Sequence, residues 1–234
     1  MRKKILCLLL CTASILLLAN QAVAIPYTKS GDVLTNTTGY EWDDSAYWQL
    51  TDITTNEDGS SLFILRLEQA AYESNFGLYT VDENGNIAAT QQVFGMSDEA
   101  TDIQNVYFKF EDNTWQVSVD DSTYQDFSNV FGFYYEIDTT DADTDINYTF
   151  YSDANLNTDD AGIQHIAVEY NGISSINIYL EDLLASNADW DWSDMTVMGD
   201  DLSPAPVPEP ATMLLLGTGL IGLAGVSRKK LLSR

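Results

Sequence analysis

The chain has 234 residues, 36 of them Asp or Glu and 10 Lys or Arg, for a formal net charge of −26 at pH 7. Such an anionic chain excludes nucleic acid and anionic membranes as binding partners. With 2 cysteines and 1 histidine it also lacks the material for a dense disulfide framework or a His-rich zinc site.

The N-terminus opens with a basic stretch, Met1-Arg2-Lys3-Lys4, followed by an almost wholly apolar run from Ile5 to Ala19. Ala22-Val23-Ala24 then supplies a small-x-small cleavage pattern. Residues 1–24 are therefore predicted to be a secretory signal peptide, helical in its apolar part and cut after Ala24. An uncleaved anchor is the alternative. Cys7 and Cys11 each follow a leucine, which does not suit lipid attachment.

The charge is concentrated between the ends. Seven of the ten basic residues are Arg2, Lys3, Lys4, Arg228, Lys229, Lys230 and Arg234, and Glu209 is the sole acid outside residues 25–207. That segment keeps 35 acids against Lys29, Arg66 and Lys109, and holds no cysteine. An exported domain without disulfides needs a large core or a metal to hold it. Two readings follow: a solvated acidic surface, or carboxylates converging on a cation. Calcium is the cation expected, because it is a hard ion that prefers oxygen ligands.

Residues 25–202 read as one β domain. Apolar and polar residues alternate in Val106-Phe108-Phe110, Trp115-Val117-Val119, Ile146-Tyr148-Phe150 and Ile176-Ile178-Leu180. Further strands are predicted at 61–67, 76–81, 130–137, 164–170 and 195–198. Asp58-Gly59, Asn84-Gly85-Asn86, Glu111-Asp112-Asn113 and Asn171-Gly172 are the turns between them. About ten short strands predict an all-β, antiparallel β-sandwich of jelly-roll type. Residues 182–188 are expected to form at most one helical turn.

Two acidic clusters stand out. Asp153, Asn155, Asn157 and Asp159 fall at alternate positions, as oxygens do in a calcium loop. It is not an EF-hand, because Thr158 stands where that loop needs glycine and Gln164 where it needs glutamate. The other reading is an Asx-rich hairpin loop. The second cluster, Glu181, Asp182, Asp189, Asp191 and Asp194, lies between two predicted strands that would bring these carboxylates to one sheet edge. Their mutual repulsion would be relieved by a cation. Trp190 and Trp192 either pack inward or form a sugar-stacking platform.

Residues 203–210 form a Pro-rich linker ending in Pro208-Glu209-Pro210. Ala211 to Val226 is apolar and spans roughly 24 Å as a helix, short of the ~30 Å of a bilayer core. Gly217, Gly219, Gly222 and Gly225 weaken it further. Arg228, Lys229, Lys230 and Arg234 follow as a positive stop. Residues 211–234 are thus expected to be a single hydrophobic transmembrane helix with a basic tail, suited to transient membrane insertion.

The order Pro-Glu-Pro, apolar helix, basic cluster resembles a PEP-CTERM sorting signal. The resemblance implies a Gram-negative, exopolysaccharide-producing bacterium and processing by an exosortase, with this chain as substrate. It implies export through the inner membrane to the cell surface, outer membrane or extracellular matrix.

Within the domain, Phe76-Gly77-Leu78-Tyr79, Phe131-Gly132-Phe133-Tyr134, Thr149-Phe150-Tyr151-Ser152-Asp153, Gln164-His165-Ile166-Ala167, Glu181-Asp182-Leu183 and Asp189-x-Asp191-Trp192-x-Asp194 carry a second resemblance. Over residues 61–200 the chain resembles an uncharacterised secreted β-domain family common in PEP-CTERM proteins and large bacterial adhesins. It departs at Ala188 and Ser193, where that family has glycine and asparagine. The family suggests calcium binding and no catalytic activity.

No enzyme is expected. His165 is the one histidine, no Gly-x-Ser-x-Gly elbow is present, and His165 is read as a structural hydrogen-bonding residue. The expected function is a calcium-stabilised, structural or adhesive β-sandwich in exopolysaccharide or biofilm. The alternatives are a carbohydrate-binding module and, behind it, a polysaccharide-cleaving enzyme.

Overall fold

The computed structural model describes residues 37–51, 57–68, 72–121, 123–138 and 148–206, and the backbone of 28–29 and 32–33. The signal peptide, Ile146 and Asn147, the triplet Pro208-Glu209-Pro210 and the helix expected at 211–234 lie outside them. Among the described residues no helix is long and apolar enough to cross a membrane.

Among the described residues sixteen strands follow one another: β1 Thr28–Lys29, β2 Asp32–Val33, β3 Glu41–Trp42, β4 Trp48–Leu50, β5 Gly59–Glu68, β6 Glu73–Val81, β7 Ile87–Phe94, β8 Ile103–Glu111, β9 Thr114–Val119, β10 Gln125–Phe127, β11 Gly132–Asp138, β12 Tyr148–Tyr151, β13 Ile166–Tyr170, β14 Ile176–Leu180, β15 Met195–Gly199 and β16 Leu202–Pro204. One sheet has eight strands in the order β10-β9-β8-β5-β15-β14-β13-β3, and the facing sheet has four, β12-β11-β6-β7. β1 pairs with β2, β4 with β16, and every pairing is antiparallel.

The turns behave as their residues require. Asp112 and Asn113 take φ of 50° and 63°, the two left-handed positions of a tight β8–β9 hairpin. The Asn171 side-chain oxygen accepts from the N–H groups of Ile173, Ser174 and Ser175, closing β13 onto β14.

One core lies between the sheets. Phe63 and Leu65 of β5, Phe108 of β8, Ile178 of β14 and Val197 of β15 meet Phe76 and Leu78 of β6 and Phe133 of β11 in a single cluster. Phe63 sits 6.2 Å from Phe76 between ring centroids, and Phe108 stacks 5.1 Å from Phe131. Trp48 is fully buried and touches Phe133 and Tyr170, one from each sheet. Burying such rings is worth about 1.5–3 kcal/mol each, which lets a disulfide-free domain stand.

The all-β, antiparallel sandwich is as expected, with eight strands in one sheet and four in the other. The β6–β7 hairpin leaves β5 and joins β11, so β8 returns beside β5 on one side while β15 takes the other. Alternation reports which face a residue occupies, not which strand lies beside it. β7 went unread because only Val93 and Phe94 of its eight residues are buried. The fold also runs past residue 202: β16 pairs with β4, and the Ala205 N–H donates to the Tyr47 carbonyl at 2.9 Å. Ser203, Pro204 and Ala205 therefore belong to the folded domain rather than to the linker.

Candidate metal centre

β14 and β15 are joined by a loop whose neck is set by the pair Leu180 and Met195. The residues just beyond that pair are Glu181 and Asp194, so the antiparallel register brings them together. The Asp182 N–H donates to Asp194 Oδ2 at 2.8 Å and ties the neck. One carboxylate oxygen from each of Glu181, Asp182 and Asp194 lies within 4.8 Å of the other two. Glu181 is 0% and Asp182 3% exposed. Glu181 Oε1 accepts from the Leu183 N–H at 3.4 Å, and Glu181 Oε2 is buried with no partner.

The two cations whose side chains are among the described residues are engaged elsewhere. Arg66 donates to Met198 and Lys109 pairs with Glu111. Burial, then the charge of Asp194, pushes the Glu181 carboxyl up to about 8. Burial likewise raises Asp194 to about 7; the charges of Asp182 and Asp191 add to it and the Asp182 N–H opposes it. Beneath them the Tyr135 hydroxyl is raised, first by its own burial and then by Asp182 and Asp194.

The rim of the site comes from the rest of the loop. Tyr72, Leu183, Asp189, Asp191 and Ser193 join Asp182 and Asp194 around a cavity of about 310 Å³. Asp189 Oδ1 accepts from the Asp191 N–H at 3.3 Å, and Asp191 Oδ1 accepts from the Ser193 N–H at 2.9 Å and its hydroxyl at 2.6 Å. Trp190 and Trp192, between them, take φ of 55° and 56°. A left-handed conformation costs a bulky residue about 1–2 kcal/mol, so packing must hold both in place. Trp192 is 4% exposed and packs on Ala167, while Trp190 is half-buried, 5.5 Å from His165 and 5.7 Å from Trp192. Of the two readings of this pair, Trp192 takes the inward-packing one. Residues 185–187 form the one turn expected between 182 and 188, with the Asn187 and Ala188 N–H groups both on the Leu184 carbonyl.

The first acidic cluster is built differently. Asp153 Oδ1 accepts from the Asn155 N–H at 3.0 Å and side-chain amide at 2.9 Å, and its Oδ2 accepts from the Tyr47 hydroxyl at 3.1 Å. Asn157 is 2% exposed and locks the loop: its oxygen accepts from the Tyr151 N–H, and its amide donates to the Tyr151 and Ile163 carbonyls. Asp159 is exposed at the outer turn. Through these bonds Asp153, Asn155 and Asn157 close an Asx-rich loop.

His165 is fully buried, with Nε2 2.7 Å from Asp160 Oδ2. Its carbonyl accepts from the Glu181 N–H at 3.1 Å. The same Asp160 oxygen accepts from the Ala185 N–H at 2.8 Å. His165 and Asp160 thus pin the first loop to the second.

One feature escaped the sequence reading. Trp42, Asp43, Asp44, Tyr47, Asp153 and Asn155 are among the residues lining a cleft of about 810 Å³. The signal was the acidic and aromatic run Glu41-Trp42-Asp43-Asp44, whose two-residue strand is too short to show alternation.

The cleft is also lined by Ala205 and Pro206, where the folded domain hands over to the C-terminal segment. Residues 206–229 match the PEP-CTERM protein-sorting motif. The chain carries a PEP-CTERM sorting signal. No curated protein and no solved structure matches the chain. The PEP-CTERM signal is what an exosortase recognises, so this is an exported substrate of that enzyme, bound for the cell envelope or surface of a Gram-negative bacterium.

Proposed function

We propose that this PEP-CTERM protein is a non-catalytic, structural or adhesive component of exopolysaccharide or biofilm, its β-sandwich held by calcium. One observation carries the reading: a sandwich whose last strand ends at Pro204 is followed directly by a sorting motif beginning at 206. The sandwich that precedes the motif is therefore the cargo it delivers. The excess of acids over bases, the absence of cysteine from residues 25–207 and the buried carboxylates of the β14–β15 loop support calcium. Raised carboxyls also serve glycosidases. Glu181, however, is wholly enclosed, which denies a sugar oxygen any approach. The test follows a tagged chain in a host with and without its exosortase. Processed chain in the matrix fraction with the enzyme, and membrane-held precursor without it, is the expected result. Equal distribution in both hosts would overturn the reading.

A second reading, a carbohydrate-binding module, is favoured by the cleft at Trp42 and Tyr47. Aromatic faces beside Asp43, Asp44, Asp153 and Asn155 offer a sugar both stacking and hydroxyl partners. Retention on host polysaccharide that is lost in Trp42→Ala and Tyr47→Ala would support it.

A further inference from the structure

We infer that Glu181, Asp182 and Asp194 form a single calcium site at the neck of the β14–β15 loop, and that the 153–159 loop is not a second one. This rests on the calcium-held reading above and assigns it to one place in the fold.

The first argument is enclosure. An isolated buried carboxylate costs several kcal/mol unless it is paired. The Glu181 side chain is 0% exposed, and its Oε2 meets no donor. A group so placed needs a partner the protein chain itself does not supply. Its two nearest titratable neighbours in the cluster are also carboxylates, which makes that partner a cation.

The second argument is spacing. Calcium takes oxygens at 2.3–2.6 Å, so two oxygens on one ion lie within about 5 Å of each other. Glu181, Asp182 and Asp194 each offer an oxygen within 4.8 Å of the others. Among the described residues no other group of three acidic, histidine or cysteine side chains meets that distance.

The third argument is donor chemistry. The cluster offers oxygen alone, with no imidazole or thiolate, which disfavours zinc and copper. Calcium also needs six to eight ligands. The adjoining cavity of about 310 Å³ has room for water, and Asp189 and Asp191 stand on its wall.

The 153–159 loop fails on the same criteria. Both carboxylate oxygens of Asp153 accept hydrogen bonds from the chain, and the Asn157 oxygen is taken by the Tyr151 N–H at 2.7 Å. These oxygens already meet donors within the chain, unlike Glu181 Oε2, so the loop holds its shape without an ion.

The test compares the thermal midpoint of the full-length chain in calcium chloride and in EGTA, with calorimetric stoichiometry. The wild type should gain several degrees in calcium and bind one ion. Glu181→Gln and Asp194→Asn should lose that gain, whereas the Asp153→Asn/Asp159→Asn double variant should keep it. In EGTA, Glu181→Gln should melt no lower than the wild type, since it removes an unpaired buried charge. If one single variant does not fold, the other serves alone. A gain that survives Glu181→Gln and Asp194→Asn would overturn this site and leave the calcium reading intact. A gain lost in the double variant would overturn the assignment to one loop. No gain in the wild type would overturn both site and reading.

Discussion

Tyr79 and Gly132 stand opposite each other on β6 and β11, and Tyr134 and Gly77 do the same two residues along the ladder. The twice-used Phe-Gly-x-Tyr pattern thus pairs with itself, each tyrosine ring lying over the other strand's bare glycine. A Cβ on Gly77 would collide with the Gln91 carbonyl oxygen and come within 2.6 Å of the Tyr134 ring, and one on Gly132 would collide with the Tyr79 ring. Tyr79 cannot easily withdraw, because Tyr151 and Tyr47 pack on it at 5.0 and 5.9 Å. Gly77→Ala and Gly132→Ala should each cost about 1–3 kcal/mol through overpacking. Chevron or urea unfolding of the variants would check this, and neutrality of both would show that the rings are free to move.

Asn157 separates a structural asparagine from a metal ligand. Its amide donates to two carbonyls, at 3.2 and 2.8 Å. Asn157→Asp removes both donors and buries a charge, so it should lose about 2–4 kcal/mol. At a calcium site the same change would strengthen binding. Urea midpoints with and without calcium tell the two apart, and a variant stabilised by calcium beyond wild type would count against the structural role.

His165 gives the stability curve an acid limb. It lies flat on Phe150, with ring centroids 3.6 Å and planes 9° apart, and burial lowers its pKa despite the pull of Asp160. The folded state therefore resists protonation that the unfolded chain accepts. Stability from this group is complete above the unfolded value of about 6.5 and falls as pH drops through the lower, folded value. Wild type should lose stability relative to His165→Phe between pH 7 and 5, and melts across that range are the measurement.

Glu181 and Asp194 act in the opposite sense when calcium is withheld. Their folded values, about 8 and about 7, lie above the ordinary carboxyl range. The folded state then holds protons the unfolded chain has released, so the stability these two groups contribute is complete below their ordinary values of about 4 and is lost as pH climbs to about 8. In EGTA, the melting point of wild type should drop relative to Glu181→Gln between pH 5 and 8. A flat difference across that range would show that the carboxylates are already compensated.

The sequence alone determined the class of fold, the acidic surface and the address. Period-two alternation specifies a strand locally, as in Ile176-Ile178-Leu180, and the sorting motif at 206–229 is read as a linear signal. Only the tertiary structure decided which strands are neighbours, because alternation assigns a residue to a face without naming the strand beside it. It also set the two acidic clusters apart. Asp153, Asn155 and Asn157 have ligand-like spacing in the chain, yet Asp153 and Asn157 bond to the loop's backbone, to Asn155 and to Tyr47. Glu181 and Asp194 are separated by a loop, and the Leu180–Met195 register brings their carboxylates face to face. Burial is likewise a property of the assembled sandwich. Trp192 and Glu181 are enclosed by partners distant in the chain, which no local pattern can report.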